Sequence, residues 1–185
     1  MNEREETAVV LDFLPNGYPF DKRPLHQKTP IAQALGTKKF TLLELVPRKG
    51  VHLQPYAEVY IGEGKRDDIH HINGKITSDK LTGTAAAELE HVIQSLVEKN
   101  EAKFVDFFNS AQPLSTRMHA LELLPGLGKK HMWEVVEERK VSPFKNFEDI
   151  RTRVRLLPDP KKAIVKRVLE ELSGNEKHKL FVDRV

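Results

Sequence analysis

Leu124-Pro125-Gly126-Leu127-Gly128-Lys129-Lys130 is the stretch that decides the fold of the C-terminal part of the chain. Its proline ends one predicted helix, because the proline ring cannot continue an α-helix. Gly126 and Gly128 allow the backbone to turn sharply before the next helix begins. Leu127, which lies between the glycines, is predicted to point inward between the two helices. The stretch therefore predicts two helices joined by a tight turn, called here the first hairpin (residues 124–130).

The first hairpin also has the chemistry of an anion site. Because the glycines carry no side chains, the amides of Gly126, Gly128 and Lys129 are predicted to face outward at the start of the second helix. A helix N-terminus attracts phosphate through its dipole and its unpaired N–H groups. Such a seat touches no base and reads no sequence. The predicted phosphate-backbone contacts are Gly126, Leu127, Gly128, Lys129 and Lys130.

The residues around the first hairpin extend the pattern. Together with Leu121, Val135, Val136 and Arg139, the stretch resembles the helix-hairpin-helix motif of DNA repair and recombination proteins. Met132 departs from that motif, which usually has a small residue at this position, and this predicts slightly different helix packing.

A second, altered copy of the hairpin is expected downstream. The segment 144–154 resembles the connector that joins two such motifs in a tandem domain. The second hairpin would be Leu156-Leu157-Pro158-Asp159-Pro160, which lacks both glycines and places a carboxylate where a phosphate would lie. This copy is expected to be structural. Basic residues that could still reach a strand from it are Lys161, Lys162, Lys166 and Arg167.

The first half of the chain has the pattern of short β-strands. Strands are predicted at Thr7–Leu14, Lys38–Val46 and Ala57–Ile61, with a long connection over residues 15–37 that contains only a short turn near Ile31–Leu35. Ile69–Ile72 and Lys75–Thr77 flank Asn73-Gly74, a dipeptide that favours a tight hairpin turn. Short strands with glycine-rich turns and no intervening helices predict a small antiparallel barrel.

The second half has the pattern of helices. Predicted caps are Thr84 for a helix to about Asn100, Ser115 for Thr116–Leu124, Asn146 for Phe147–Val154 and Asp159 for a last helix that begins at Pro160 and ends at Leu172. Glu101–Phe108 and Lys129–Lys140 are also predicted helical, and residues 175–185 are predicted to be a loosely attached tail. We expect an α+β protein with an OB-like β-barrel at 1–80, linking helices at 81–114 and a hairpin domain at 115–185.

The chain as a whole resembles an archaeal family described as a domain of unknown function (number 655), predicted to bind nucleotides or RNA. The resemblance covers nearly all residues. It implies a partly open oligonucleotide/oligosaccharide-binding (OB-like) barrel before the hairpin domain. It supplies no catalytic residues.

Composition and charge restrict the class of protein. The 185 residues are 39% hydrophobic, and no apolar run approaches the roughly 20 residues that span a bilayer. The chain has no cysteine, which excludes disulfides and thiolate-bound metals. The acidic N-terminus has no hydrophobic segment after a basic start, so we expect a cytoplasmic protein without a membrane partner. Residues 1–114 carry 14 Lys and Arg against 16 Asp and Glu, whereas residues 115–185 carry 16 against 11, which favours a polyanionic partner for the C-terminal part.

Several further residues are candidates for binding. Arg48, Lys49, Lys65 and Arg66 lie on predicted turns of the barrel and are additional candidate basic contacts, as are Lys161 and Lys162. Tyr56 and Tyr60 could stack on bases, although core or surface packing is the favoured role. His70 and His71 are expected on opposite faces of a strand, so they cannot share one metal ion. His119 and His131 are expected at the surface or in helix packing, and Trp133 in the core.

The sequence favours a non-catalytic function. It contains no phosphate-binding GxxxxGK[ST] loop, no GxGxxG after a strand, no HExxH and no G-x-S-x-G. We expect a sequence-independent nucleic-acid-binding protein, for DNA or RNA, without cofactor or metal. The alternative is a protein-interaction module or a subunit of a repair or ribosome-associated complex. A weaker hypothesis is a nuclease that uses Asp67, Asp68 and His70.

Overall fold

The structure, a computed structural model, describes residues 3–183 of an α+β protein. Its strands are β1 (Thr7–Leu14), β2 (Ile31–Gly36), β3 (Leu42–Pro47), β4 (Glu58–Tyr60) and β5 (Ile69–Lys75). Its α-helices are α1 (Gly83–Lys99), α2 (Glu101–Ser110), α3 (Lys129–Val141), α4 (Phe147–Arg153) and α5 (Pro160–Leu172). Short 3-10 turns occur at Leu25–Gln27, Ser78–Lys80 and Ala120–Leu123.

The chain divides into two compact units. The sheet unit consists of the segments Met1–Val92 and Leu172–Val185, and the helical unit consists of Ile93–Glu171. The division falls inside α1, whereas the sequence placed boundaries after residues 80 and 114. None of the helices within residues 3–183 is long and apolar enough to cross a membrane.

The sheet unit is built on one curled antiparallel sheet, a half-barrel. The strand order is β4-β1-β2-β3-β5, and every neighbouring pair is antiparallel. Within the described residues β4 and β5 are not paired with each other, so both are edge strands. The buried side chains of the sheet form its core, which includes Ala8, Val10, Ala34, Leu45 and Ile69.

The structure corrects the predictions for β2 and β3. Ile31–Gly36 is strand β2, not part of a long connection. Its sequence IAQALG has few β-branched residues, so pairing with β1 and β3 decides its conformation rather than local propensity. The next strand begins at Leu42, not at Lys38, because Phe40 adopts a left-handed backbone (φ 53°) that no strand accommodates.

The predicted hairpin turn at Asn73-Gly74 is wrong. Ile69–Lys75 is a single strand, and Gly74 has a φ of 157°, so it does not form a type I′ turn. Leu45 pairs with Ile72 and Glu44 pairs with Gly74, which leaves Asn73 as an extra residue in a bulge. The Asn73 amide donates a hydrogen bond to the Glu44 carboxylate.

A buried polar network fixes one side of the sheet to the start of α1. The fully buried Gln33 amide donates to the Tyr18 hydroxyl (3.1 Å) and to the Lys80 carbonyl (3.0 Å). Tyr18 donates to the Glu44 carboxylate. Burial, together with this hydrogen bond, raises the pKa of Tyr18 from 10.0 to about 12. The network therefore holds Tyr18 in its protonated form.

We expect the Tyr18→Phe variant to lose less of its free energy of unfolding than the unmodified chain as the pH rises above 10.0. The Tyr18 pKa is higher in the folded chain, so its contribution is complete below pH 10 and is lost as the pH rises toward 12, where the folded group also ionises. Urea unfolding of both proteins between pH 9 and about 11.5 measures the difference. Parallel pH curves for the two proteins would contradict the raised pKa.

The structure corrects the predicted cap of α1 and confirms the predicted caps of α4 and α5. The cap of α1 is Thr82, not Thr84, because the Thr82 hydroxyl accepts from the Ala85 amide (3.1 Å). Asn146 caps α4 by accepting from the Asp149 amide (2.7 Å), as predicted. The last helix runs over Pro160–Leu172 with Asp159 at its cap, which confirms that prediction.

The predicted helix over Thr116–Leu124 is wrong. Only the 3-10 turn Ala120–Leu123 forms, because the Ser115 hydroxyl accepts from the nearby Arg117 amide instead of capping a helix. The turn starts at His119, whose Nδ1 accepts from the Leu121 amide (3.1 Å) while its own amide donates to the Glu122 carboxylate (2.7 Å). Burial is the main cause that lowers the pKa of His119, which favours the neutral ring that this capping needs.

The C-terminal residues 175–183 are not a loose tail. The Asp183 amide donates to the Lys39 carbonyl (3.2 Å), and its carboxylate pairs with the Lys75 ammonium (3.4 Å). Asp183 also lines an open cavity of about 740 Å³ in the sheet unit. The charges around that cavity belong to both signs and pair with one another, as Arg4 does with Glu63 (3.2 Å).

Candidate functional site

The first hairpin is a tight turn between the 3-10 turn and α3. The Leu127 amide donates to the Leu124 carbonyl (3.1 Å), which closes the turn. Leu124 and Leu127 are buried, whereas Gly126 and Gly128 are exposed. The predicted inward position of Leu127 is confirmed, and the glycines lie on the outer side of the turn.

Gly126 occupies a position that only glycine fits well. Its φ is 84°, in the left-handed region that side chains disfavour. A Cβ built there would lie 3.0 Å from Cγ of Pro158. The first hairpin therefore packs closely against the second one, and a side chain at position 126 would disturb both the turn and this contact.

The start of α3 has no side-chain cap. Gly128 is the capping residue, and its carbonyl accepts from the Met132 amide (3.0 Å). Among residues 3–183 we find no acceptor for the amides of Gly128, Lys129 and Lys130. These positions are exposed, so unpaired N–H donors face solvent at the positive end of the helix dipole.

The two lysines of the first hairpin differ in their surroundings. The Lys129 ammonium donates to the Arg117 carbonyl (3.2 Å) and pairs with the Glu122 carboxylate (3.2 Å). The Lys130 side chain is exposed, and no carboxylate of the described chain lies within ion-pair distance of it. Lys130 is therefore the cation of this turn whose charge is not already shared.

The second hairpin also contains a left-handed residue, three residues before its helix cap where Gly126 is two before Gly128, and its helix start is different. Leu156 has a φ of 66° without being glycine, and it is 87% exposed. The Asp159 carboxylate accepts from the amides of Lys161 (3.0 Å) and Lys162 (3.4 Å). The donors that remain open at Gly128 are thus occupied at Asp159 by a carboxylate of the chain itself.

Several basic residues near the hairpins are structural. Lys161 pairs with Glu98 (2.9 Å), so its ammonium is engaged, whereas Lys162 and Lys166 are exposed. Arg167 is buried, pairs with Glu171 (3.0 Å) and donates to the Leu123 carbonyl (3.3 Å). The expectation that Arg167 could reach a strand is therefore wrong. It holds the backbone that leads into the first hairpin.

Two more arginines hold the ends of helices. Arg139 donates to the carbonyls of Phe108 (3.2 Å) and Ala111 (2.9 Å) at the end of α2. Arg153 donates to the carbonyls of Glu138 (2.5 Å) and Ser142 (2.8 Å) at the end of α3. Both side chains satisfy carbonyls that a helix end leaves unpaired.

The predicted basic turns of the sheet unit come together. The Arg48 guanidinium donates to the Arg66 carbonyl (2.8 Å), and the Arg66 guanidinium donates to the Gly62 carbonyl (2.8 Å). Lys49 and Lys65 are exposed on the same two loops. Separate turns of the sequence thus bring four basic residues to one end of the sheet, called here the basic end, where Glu63, Asp67 and Asp68 lie on the same loop as Lys65 and Arg66.

The two tyrosines have local packing roles. The Tyr60 ring lies against Gly62 and Gly64, and its hydroxyl accepts from the Gly64 amide (3.0 Å). Tyr56 lies before strand β4, has a φ of 67° and donates to the Glu88 carboxylate. Tyr56 is therefore outside β4, whereas Tyr60 is its last residue.

The histidines of β5 lie together, contrary to the prediction. Val46 pairs with His71 and Pro47 pairs with Ile69, which leaves His70 as the extra residue of a bulge. The Nδ1 atoms of His70 and His71 are consequently 2.8 Å apart. Within residues 3–183 no three His, Asp or Glu side chains are grouped to hold a metal ion, and this includes Asp67 and Asp68.

Trp133 is not a core residue. It is 58% exposed on α3, and the described chain provides no stacking or cation–π partner for its ring. The prediction of a buried tryptophan came from residue type alone. The sequence does contain a signal for exposure. Trp133 lies four residues after Lys129 and three after Lys130, so it shares a helix face with these charged residues.

The comparisons with known proteins agree over nearly the whole chain. An uncharacterized protein, MJ0038 of Methanocaldococcus jannaschii, is 43% identical over 178 residues, which are 96% of this chain and 79% of that protein. The crystal structure of Af1531 from Archaeoglobus fulgidus, described as family-model DUF655, has 47% sequence identity and a TM-score of 0.89. It covers 97% of this chain and 100% of that one. The family model described as "Protein of unknown function (DUF655)" matches residues 4–183, and the chain belongs to that family.

Proposed function

We propose that this chain is a non-catalytic protein that binds a nucleic-acid backbone, of DNA or RNA, without reading sequence. The observation that carries the proposal is the uncapped start of α3, where the exposed amides of Gly128, Lys129 and Lys130 have no acceptor in the described part of the chain. A backbone phosphate would accept from these N–H groups and lie at the positive end of the helix dipole. No base-reading side chain is required, so the binding is sequence-independent.

The proposal includes a tandem helix-hairpin-helix arrangement with one working copy. Each turn contains a left-handed residue shortly before its helix cap, Gly126 in the first and Leu156 in the second, and Pro158 lies beside Gly126. The copies differ at the helix start, where Asp159 supplies its own carboxylate. A phosphate would compete with that carboxylate and be repelled by it, so only the first hairpin is open to an anion.

One phosphate seat gives weak affinity, because Lys129 already shares its charge with Glu122. We therefore propose a second contact on the sheet unit, used in the manner of an OB-like barrel. Its candidate surface is the basic end formed by Arg48, Lys49, Lys65 and Arg66. OB-type barrels bind single strands on loops and a face of the sheet, which fits this position.

The test is a salt titration with a matched lysine control. Fluorescence anisotropy with labelled oligonucleotides of DNA and RNA should show affinity falling linearly with log salt, with a slope of about two to four phosphates. Lys130→Gln should lower that slope by about one and weaken binding to all sequences alike. Lys22→Gln removes an exposed charge from the sheet unit and should leave both unchanged. Equal slopes for the two variants would contradict the role of Lys130.

A protein-interaction module is the second candidate. The observation that supports it is the exposure of Leu156 and Leu114, since exposed apolar side chains can form part of a protein interface. Purified protein that bound no DNA or RNA at low salt but captured one discrete protein, dependent on Leu156, would favour this function. For the non-catalytic part of the proposal, we expect no cleavage of oligonucleotides with or without divalent cations.

A further inference from the structure

The tryptophan of α3 is exposed, and the described residues offer its ring no aromatic or cationic partner. Trp133 is the only tryptophan of the chain, and its ring is 58% exposed. Tryptophan side chains are largely buried on average, so an indole exposed to this extent is unusual. The exposed indole face is therefore available to a ligand.

The position of Trp133 relates it to the first hairpin. It follows Lys129 by four residues and Lys130 by three, so the three side chains share one face of α3. Helical side chains lean toward the helix N-terminus, so we expect the indole to lie over the turn that carries the two lysines. Along the helix axis Trp133 is only about 7.5 Å from Gly128, at 1.5 Å per residue.

The charges nearby favour a ligand that carries a negative group. Glu134, the residue after Trp133, has Oε2 3.6 Å from Nδ1 of His131. Glu137, one turn further along the helix, is paired with Lys140 (2.9 Å). The Lys130 ammonium has no carboxylate partner in the described chain. A ligand that fits this face carries a negative group and a planar ring separated by a few ångströms. An unpaired nucleotide has both, whereas the bases of a duplex are stacked and not free to cover an indole.

We propose that Trp133 is a stacking platform for an unpaired base, so that the helical unit selects single strands over duplexes. This inference rests on the proposed function, since the neighbouring phosphate would lie at the uncapped start of α3. It assigns the class of ligand, namely a single-stranded segment of DNA or RNA. Base–aromatic stacking accepts every base, so the selection does not introduce sequence preference.

Tryptophan fluorescence tests the stacking directly, because the chain has a single indole. Titration with an unlabelled oligothymidylate of about twelve nucleotides, which fits the site sizes known for single strands, should quench the emission saturably. A duplex of the same length should quench it far less. Equal quenching by both, or none by a single strand that anisotropy shows to be bound, would overturn the inference.

Variants distinguish stacking from an effect on the fold. Trp133→Ala should weaken single-strand binding by about tenfold or more, and Trp133→Phe should restore most of the affinity. Val141→Ala, at another highly exposed apolar position of α3, should leave the single-strand affinity unchanged. If no nucleic acid binds at low salt, the proposed function itself fails. If Trp133→Ala leaves oligonucleotide affinity unchanged but abolishes binding of a discrete protein, the face is a protein interface and this inference is wrong.

Discussion

Arg167→Met is expected to lower the free energy of unfolding by about 3–5 kcal/mol, because it removes the cation that pairs with the buried Glu171 carboxylate. Arg167 and Glu171 are both buried and lie one helical turn apart on α5, with Nε and Oε2 at 3.0 Å. The Arg167 guanidinium also donates to the Leu123 carbonyl. The substitution therefore removes the ion pair and releases the backbone that enters the first hairpin. Urea unfolding followed by circular dichroism measures the loss.

The double variant Arg167→Met with Glu171→Leu is the control for this prediction. Replacing both charges by apolar side chains of similar size removes the unpaired charge, so much of the stability should return. The released Leu123 carbonyl remains unpaired in both variants, which sets a residual loss of about 1–3 kcal/mol. A double variant as unstable as Arg167→Met alone would show that the ion pair is not the source of the loss.

Gly128→Asp is expected to weaken nucleic-acid binding by at least about tenfold while leaving the protein as stable or slightly more so. The carboxylate would accept from the open amides at the start of α3, as Asp159 does in the second hairpin. A Cβ at position 128 meets nothing within 4 Å, and φ is −92°, so the side chain fits without strain. The phosphate then loses charge-assisted hydrogen bonds worth roughly 1.5–3 kcal/mol.

Gly128→Ala is the matched control for the aspartate. Its methyl group occupies the same open space but caps no amide and carries no charge. We expect it to retain nearly all of the affinity, with a small loss of stability. Gly128→Asn separates the two effects of the aspartate, because the amide side chain caps the helix without repelling a phosphate. Its affinity should lie between those of the alanine and aspartate variants.

The hairpin region was largely predictable because its signals are local. The inward Leu127, the turn at Gly126 and the cap at Asp159 all depend on residues within one turn of the chain. The helix over 116–124 was wrong because His119 and Glu122 form a capping box for a 3-10 turn, which competes with ordinary helix propensity. Serine often caps the start of a helix, but the Ser115 hydroxyl accepts from the Arg117 amide in a local turn instead.

The sheet was less predictable because its signals come from partner strands. Gln33 looks like a loop residue, yet it is fully buried because Tyr18 and the Lys80 carbonyl satisfy its amide. The bulge that brings His70 beside His71 is set by the register against β3, which the local pattern of β5 does not contain. Trp133 was placed in the core by its residue type, whereas tertiary packing leaves its side of α3 exposed.

The most direct test of the central claim is the affinity of the unmodified chain, Gly128→Ala and Gly128→Asp for one labelled single strand, measured by anisotropy at several salt concentrations. Thermal unfolding of the same samples reports whether each variant folds. If the open amides of α3 hold a phosphate, the aspartate variant keeps its midpoint of unfolding, binds at least about tenfold more weakly and has a smaller salt slope, while the alanine variant resembles the unmodified chain. Equal affinities and salt slopes for the aspartate and alanine variants, with both folded, would contradict the phosphate seat.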